Sequence, residues 1–138
     1  MSTAFVRRTI YDALPVVLAG FTYVPTLNVE THPENLPAGR WYTVDFSSLE
    51  DRRVSLGSPG CFREEGLVTL TLAQPANAGD LELADMAEAV RTAFLDWFDP
   101  SGQLRIFQVD PPIEVDGGDL HGAWWLMEVP MSYEFHRH

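Results

Sequence analysis

The chain has 138 residues, 46% of them hydrophobic, with nine basic and 20 acidic residues and a formal net charge of −11. That is one domain's worth of chain, 1–138, with enough apolar content to form a core and too much for a disordered tail. The single cysteine excludes a disulfide framework or thiolate zinc cluster, and an acidic balance with arginine as the only basic residue argues against a groove that grips nucleic-acid phosphates. No apolar run approaches the roughly 18 residues of a membrane span, and residues 1–20 lack a signal-peptide core, so no membrane is expected.

The spacing predicts a first helix over residues 2–14. Phe5, Val6, Ile10, Ala13 and Leu14 form its apolar stripe, and Pro15 allows at most a kinked continuation toward Gly20. Residues 25–39 read as a turn-rich connector. Residues 40–46 alternate as a strand, with Tyr42, Val44 and Phe46 toward the core. A short strand over 52–56, a Gly57-Ser58-Pro59-Gly60 tip and a strand over 62–73 read as a β-hairpin, with Val68, Leu70 and Leu72 on one face.

Residues 80–98 give the longest helical pattern, with Leu83, Ala87, Val90, Phe94 and Trp97 in its stripe. A strand at Leu104–Val109 precedes Pro111-Pro112, and Asp116-Gly117-Gly118-Asp119 reads as a turn. Alternation over 123–135 puts Trp125, Met127, Val129, Met131, Tyr133 and Phe135 on one face, with Pro130 predicting a bulge or a sheet edge. The class is α+β: a mostly antiparallel sheet, one long helix packed on it, a shorter N-terminal helix and a projecting β-hairpin. A domain of this size is roughly 37 Å across, whereas 13 residues of strand span roughly 43 Å, so long strands here either bend sharply or project.

Candidate chemistry is thin. His136 and His138 could share a strand face and bind a metal, but a C-terminal pair reads first as a solvated tail. His121 sits in a Gly-rich turn with no metal-site spacing of acidic residues and histidines around it, and His32 is the remaining histidine. Cys61 has no nearby histidine to activate it, and Ser55 and Ser58 sit in no nucleophile elbow. Glu64 and Glu65 are adjacent on a strand and so point to opposite faces; they, Asp116 and Asp119 read as solvated surface. With no phosphate-binding or dinucleotide fingerprint either, the reading is no enzyme and no cofactor.

A resemblance enters through three segments in order: Trp41-Tyr42-Thr43-Val44-x-Phe46; Arg52-Arg53-Val54-Ser55-Leu56-Gly57; and Phe62-Arg63-x-x-Gly66-x-Val68-x-Leu70. A Pro75-to-Gly79 break, the helix, and Gly122-x-Trp124 leading to Ser132-Tyr133-x-Phe135 follow. The set resembles the tail terminator, or tail completion, proteins of long-tailed bacteriophages in the group similar to lambda's.

The resemblance implies a homohexameric ring at the head-proximal end of the virion tail, assembled in the host cytoplasm. Such a ring caps the tail tube, stops its polymerisation, and docks on the head-tail connector or stopper protein while genomic DNA passes through the lumen without specific binding. Within that frame Arg52, Arg53, Leu56, Phe62 and Arg63 are candidates for a subunit or tube interface, because arginines cluster there beside a tip in an otherwise acidic chain. Glu82, Asp85 and Glu88 are candidates for the lumen. Three competing readings remain at this point: a head-completion or stopper protein, a small carboxylate-based hydrolase, and a binding module for a host protein.

Overall fold

The computed structural model describes residues 4–25, 36–53, 62–75, 81–115 and 124–137, with backbone alone at 48–53, 115 and 137. The N-terminal helix α1 is Ala4–Val17. Val6, Ile10 and Leu14 recur at four-residue spacing, so they bury one stripe completely. The helix passes through Pro15 and is closed by Leu18, whose N–H reaches the Leu14 carbonyl at 2.8 Å, and by Gly20 at φ 91°. That backbone angle is one glycine adopts without steric cost.

Strands β1 (Thr22–Tyr23), β2 (Trp41–Arg53) and β3 (Phe62–Pro75) follow. Helix α2 is Leu81–Phe94, and β4 (Trp97–Phe98), β5 (Leu104–Val109), β6 (Ile113–Val115) and β7 (Trp124–Arg137) complete the described chain. The sheet order is β1-β2-β3-β7-β5-β4, with β6 also on β7. The β1–β2 pair is parallel and every other pair antiparallel. The protein is α+β.

Several sequence expectations change. Among the described residues the two helices have 14 residues each, so neither is the longer. The helical pattern over 80–98 stops at Phe94, because Asp96 turns into the left-handed region at φ 56° and sends Trp97 and Phe98 into the sheet beside Ile106 and Arg105. The separate strands over 40–46 and 52–56 are one strand to Arg53, crossed by a register shift between Ser48 and Glu50. The turn over 116–119, the hairpin tip, Cys61, His32, His121 and His138 lie outside the described residues.

Pro130 makes neither an edge nor a bulge. It lies in β7 between β3 and the β5/β6 side, and the β3–β7 register runs unbroken from Phe62↔Arg137 to Pro75↔Trp124. The Pro130 carbonyl accepts the Asp110 N–H at 2.9 Å. In a strand the N and C=O of one residue point the same way, so the missing N–H faces the gap where β5 gives way to β6 and costs the β3 ladder nothing.

Both helices cover one sheet face. The core between them joins Ile10 and Leu14 from α1, Leu83, Val90 and Phe94 from α2, and Val68, Leu70, Leu72, Val129, Met131 and Tyr133 from the central strands. A smaller apolar cluster sits on the opposite face, where Trp41, Ala73 and Leu126 form a cross-strand row capped by Trp124. Near the far end of the core, Glu64 is only 1% exposed, a correction to its reading as solvated. The Tyr133 hydroxyl donates to Glu64 Oε2 at 2.6 Å, passing over Gly66. An added Cβ at Gly66 would lie 2.4 Å from the Ser47 carbonyl oxygen and 2.6 Å from the Tyr133 ring, so only glycine leaves the tyrosine its path to the carboxyl.

Gly66→Ala therefore forces backbone or ring apart, and is expected to cost about 2 kcal/mol or more in urea unfolding. An unchanged midpoint would show that the Tyr133–Glu64 contact does not depend on the bare backbone there.

Candidate assembly surfaces

The sequence-predicted interface residues come together in part. Register places Arg52 opposite Arg63 and Arg53 opposite Phe62, so four of the five occupy one end of the β2–β3 pair. Leu56 lies outside the described residues, as do the side chains of Arg52 and Arg53. Arg63 is already engaged. Its guanidinium pairs with Glu65 and lies 4.0 Å from Glu134, which in turn contacts His136 Nε2. Placing Arg63 opposite His136 and Glu65 opposite Glu134 makes this a cross-strand charge row on the face away from the helices. His136 is thus part of β7 rather than a loose tail.

The proposed lumen residues Glu82, Asp85 and Glu88 are all exposed on α2. Glu82 pairs with Arg40, whose guanidinium also lies 5.7 Å over the Phe21 ring, and Asp85 joins the same shallow hollow. Among the described residues, no group of three or more His, Cys, Asp or Glu side chains could hold a metal ion.

Sequence reading missed the two ends of the sheet. At one end, β4 borders an open, mostly apolar groove of about 560 Å³, walled by Phe5, Thr9, Asp12 and Ala13 of α1 and by residues 97–101. Phe98 is 54% exposed, and the Arg105 guanidinium lies 5.5 Å over its ring. The Asp99 N–H bonds inward to the Leu104 carbonyl, so by alternation the Phe98 N–H and C=O point away from β5. At the other end, the N–H groups of Thr22 and Val24 bond inward to Arg40 and Tyr42, which turns the main-chain groups of Tyr23 outward. The Tyr23 ring packs against Tyr11 at 5.4 Å and Tyr42 at 5.6 Å. Burial, then the hydroxyl contact with Tyr11, pushes the Tyr23 pKa up to about 12, so Tyr23 stays neutral through the physiological range. Trp97-Phe98 behind the Leu95-Asp96 break was the available signal for β4; the helical stripe concealed it.

Asp99 fixes the turn beside the groove. Burial pushes its carboxyl up, but donors from Ser101 and the backbone of Leu104 outweigh burial and hold its pKa below the ordinary value. Gly102, at φ 74°, closes the same turn on the Asp99 carbonyl.

No family profile and no curated protein matches this chain. A solved structure whose designation carries no functional description shares 13% identity at a TM-score of 0.59, covering 100% of this chain and 98% of that one. At that identity the likeness concerns the fold alone.

A carboxyl with a depressed folded pKa contributes stability that is fully present above its unfolded pKa and is lost as pH falls through the folded value. Asp99→Asn is therefore expected to cost about 1 kcal/mol at pH 7, with the gap from the unmodified protein narrowing below about pH 4. Unfolding curves from pH 7 to pH 2 measure it, and a gap independent of pH would contradict the charged role of Asp99.

Proposed function

We propose that this chain is the subunit of a ring that caps a bacteriophage tail tube, stops its polymerisation and forms the tail side of the head-tail joint. The observation that carries the reading is the sheet itself, taken with the ordered resemblance of its sequence segments to tail terminators. Strands β2, β3 and β7 run 13, 14 and 14 residues. At about 3.3 Å per residue they reach roughly 43–46 Å, longer than the roughly 37 Å body of a domain this size. The end of β2 and β3 at Arg53 and Phe62 is flanked by β7 as far as Arg137; in this reading that strand end is the arm, with Arg52 and Arg53 on it as contacts to the tube or to a neighbouring subunit.

Two further features fit. The sheet ends are unlike each other, and a ring closes through unlike patches on successive copies. A charge of −11 per copy lets DNA pass a lumen without holding its phosphates. Glu82, Asp85 and Glu88 are the proposed lumen surface. A hydrolase built on Glu64 and Glu65 is a poor fit, since one is sealed beneath Tyr133 and the other is bound to Arg63.

Arg53→Glu is the cleaner probe of the arm, because Arg63→Glu would also set three like charges beside one another at Glu65 and Glu134. Purified protein added to polymerising tail-tube subunits is expected to stop growth and sit at one tube end in electron micrographs. Folded Arg53→Glu protein is expected to lose that effect. Tube lengths indifferent to the unmodified protein would overturn the reading, and full capping by the variant would remove Arg53 from the contact.

A further inference from the structure

We propose that the outer edge of β4 and the groove beside it receive the β1 edge of a second copy of this chain, joining the two sheets in parallel. The proposal rests on the ring reading above and names the surfaces that close the ring. Among the described residues, the Phe98 and Tyr23 main-chain groups that point outward have no partner, and each belongs to an exposed aromatic residue at an opposite end of one sheet. One edge lacks what the other supplies: an N–H and a C=O on each side.

The strand directions agree. Counting across the sheet from the parallel β1–β2 pair, β4 runs the same way as β1. Rotation about an axis along the strands preserves that direction, so successive copies in a ring would meet in parallel. Parallel pairing also keeps the two faces of the sheet in line. Outward-pointing residues on parallel neighbours bond with an offset of one, which sets Phe98 beside Thr22 or Val24 rather than beside Tyr23. Phe98 shares the face of Arg105, away from the helices, and Val24 belongs to the apolar cluster on that same face. Tyr23 then falls on the helix side, where the groove between α1 and β4 opens.

Charge fits the same direction of assembly. On the groove flank of α1, Asp12 is exposed and has no cationic partner among the described residues. On the flank facing β1, Arg7 lies 4.8 Å over the Phe46 ring and has no carboxylate partner among the described residues. Head-to-tail docking brings Arg7 of one copy toward Asp12 of the next. Self-docking in the reverse sense, groove to groove, would oppose Asp12 to its own copy.

The test uses Thr22→Cys or Val24→Cys on the β1 edge and Phe98→Cys on the β4 edge, each with Cys61→Ser, under mild oxidation alone and with tail tubes present. Residues directly opposite each other on one face of adjacent strands, as Phe98 and Thr22 or Val24 would be here, come within disulfide range. Each variant alone is expected to stay unlinked, their 1:1 mixture to give a linked dimer, and the doubly substituted chain to give a ladder of linked copies. Arg7→Asp is expected to weaken the assembly severalfold, and adding Asp12→Arg to restore it. A mixture that links no more than the single variants, while mass measurement shows an oligomer, would overturn this contact and leave the ring intact. A chain that stays monomeric both alone and on tubes would overturn the ring and this contact together.

Discussion

The antiparallel ladder between β3 and β7 is the constraint on which the remaining structure depends. It runs the full 14 residues of both strands without a shift. Every other described strand is placed by it: β2 and then β1 beyond one side, β5, β6 and β4 beyond the other. A slip of one residue would turn either Val68 and Leu70 or Val129 and Met131 away from the helices, so the buried face fixes the register. Pro130 is compatible with this ladder because its missing donor faces the place where β5 ends.

A sheet built this way is strong in the middle and unfinished at its ends. The central strands bury one face along their length under α1 and α2, and the other only at the end where Trp41, Ala73 and Leu126 cluster. Beyond them the pairing dwindles to two-residue strands whose outward main-chain groups have no partner among the described residues and whose Tyr23 and Phe98 side chains are exposed. A monomer whose function lay in a pocket would be expected to protect such edges. Here the polar chemistry is committed to structure. Among the described residues, Glu64 is spent on Tyr133, Arg63 on Glu65 and Asp99 on its own turn.

Period alone revealed most of the elements. The stripe of Val6, Ile10 and Leu14, the strand Leu104–Val109 and the alternating face from Trp125 to Phe135 were legible because burial imposes the period directly. What could not be read depends on partners distant in sequence. β1, β4 and β6 are too short to carry a period and exist only because β2, β5 and β7 lie beside them. Trp97 continues the helical stripe of α2 in sequence, yet Asp96 adopts a backbone conformation that redirects it. Glu64 looked like surface because charge normally is surface; its burial rests on Gly66 leaving room for Tyr133 from 69 residues away. The arginine cluster at Arg52, Arg53 and Arg63 was visible, but not that Arg63 already has acidic partners across the strand.

The most direct measurement of the central claim is cryo-electron microscopy of tail tubes grown in the presence of this protein. The account predicts a single ring of copies at one end of each tube, with sheets continuous from copy to copy around an open lumen. Isolated copies scattered along the tube wall, or tubes that end in bare tube subunits, would contradict it.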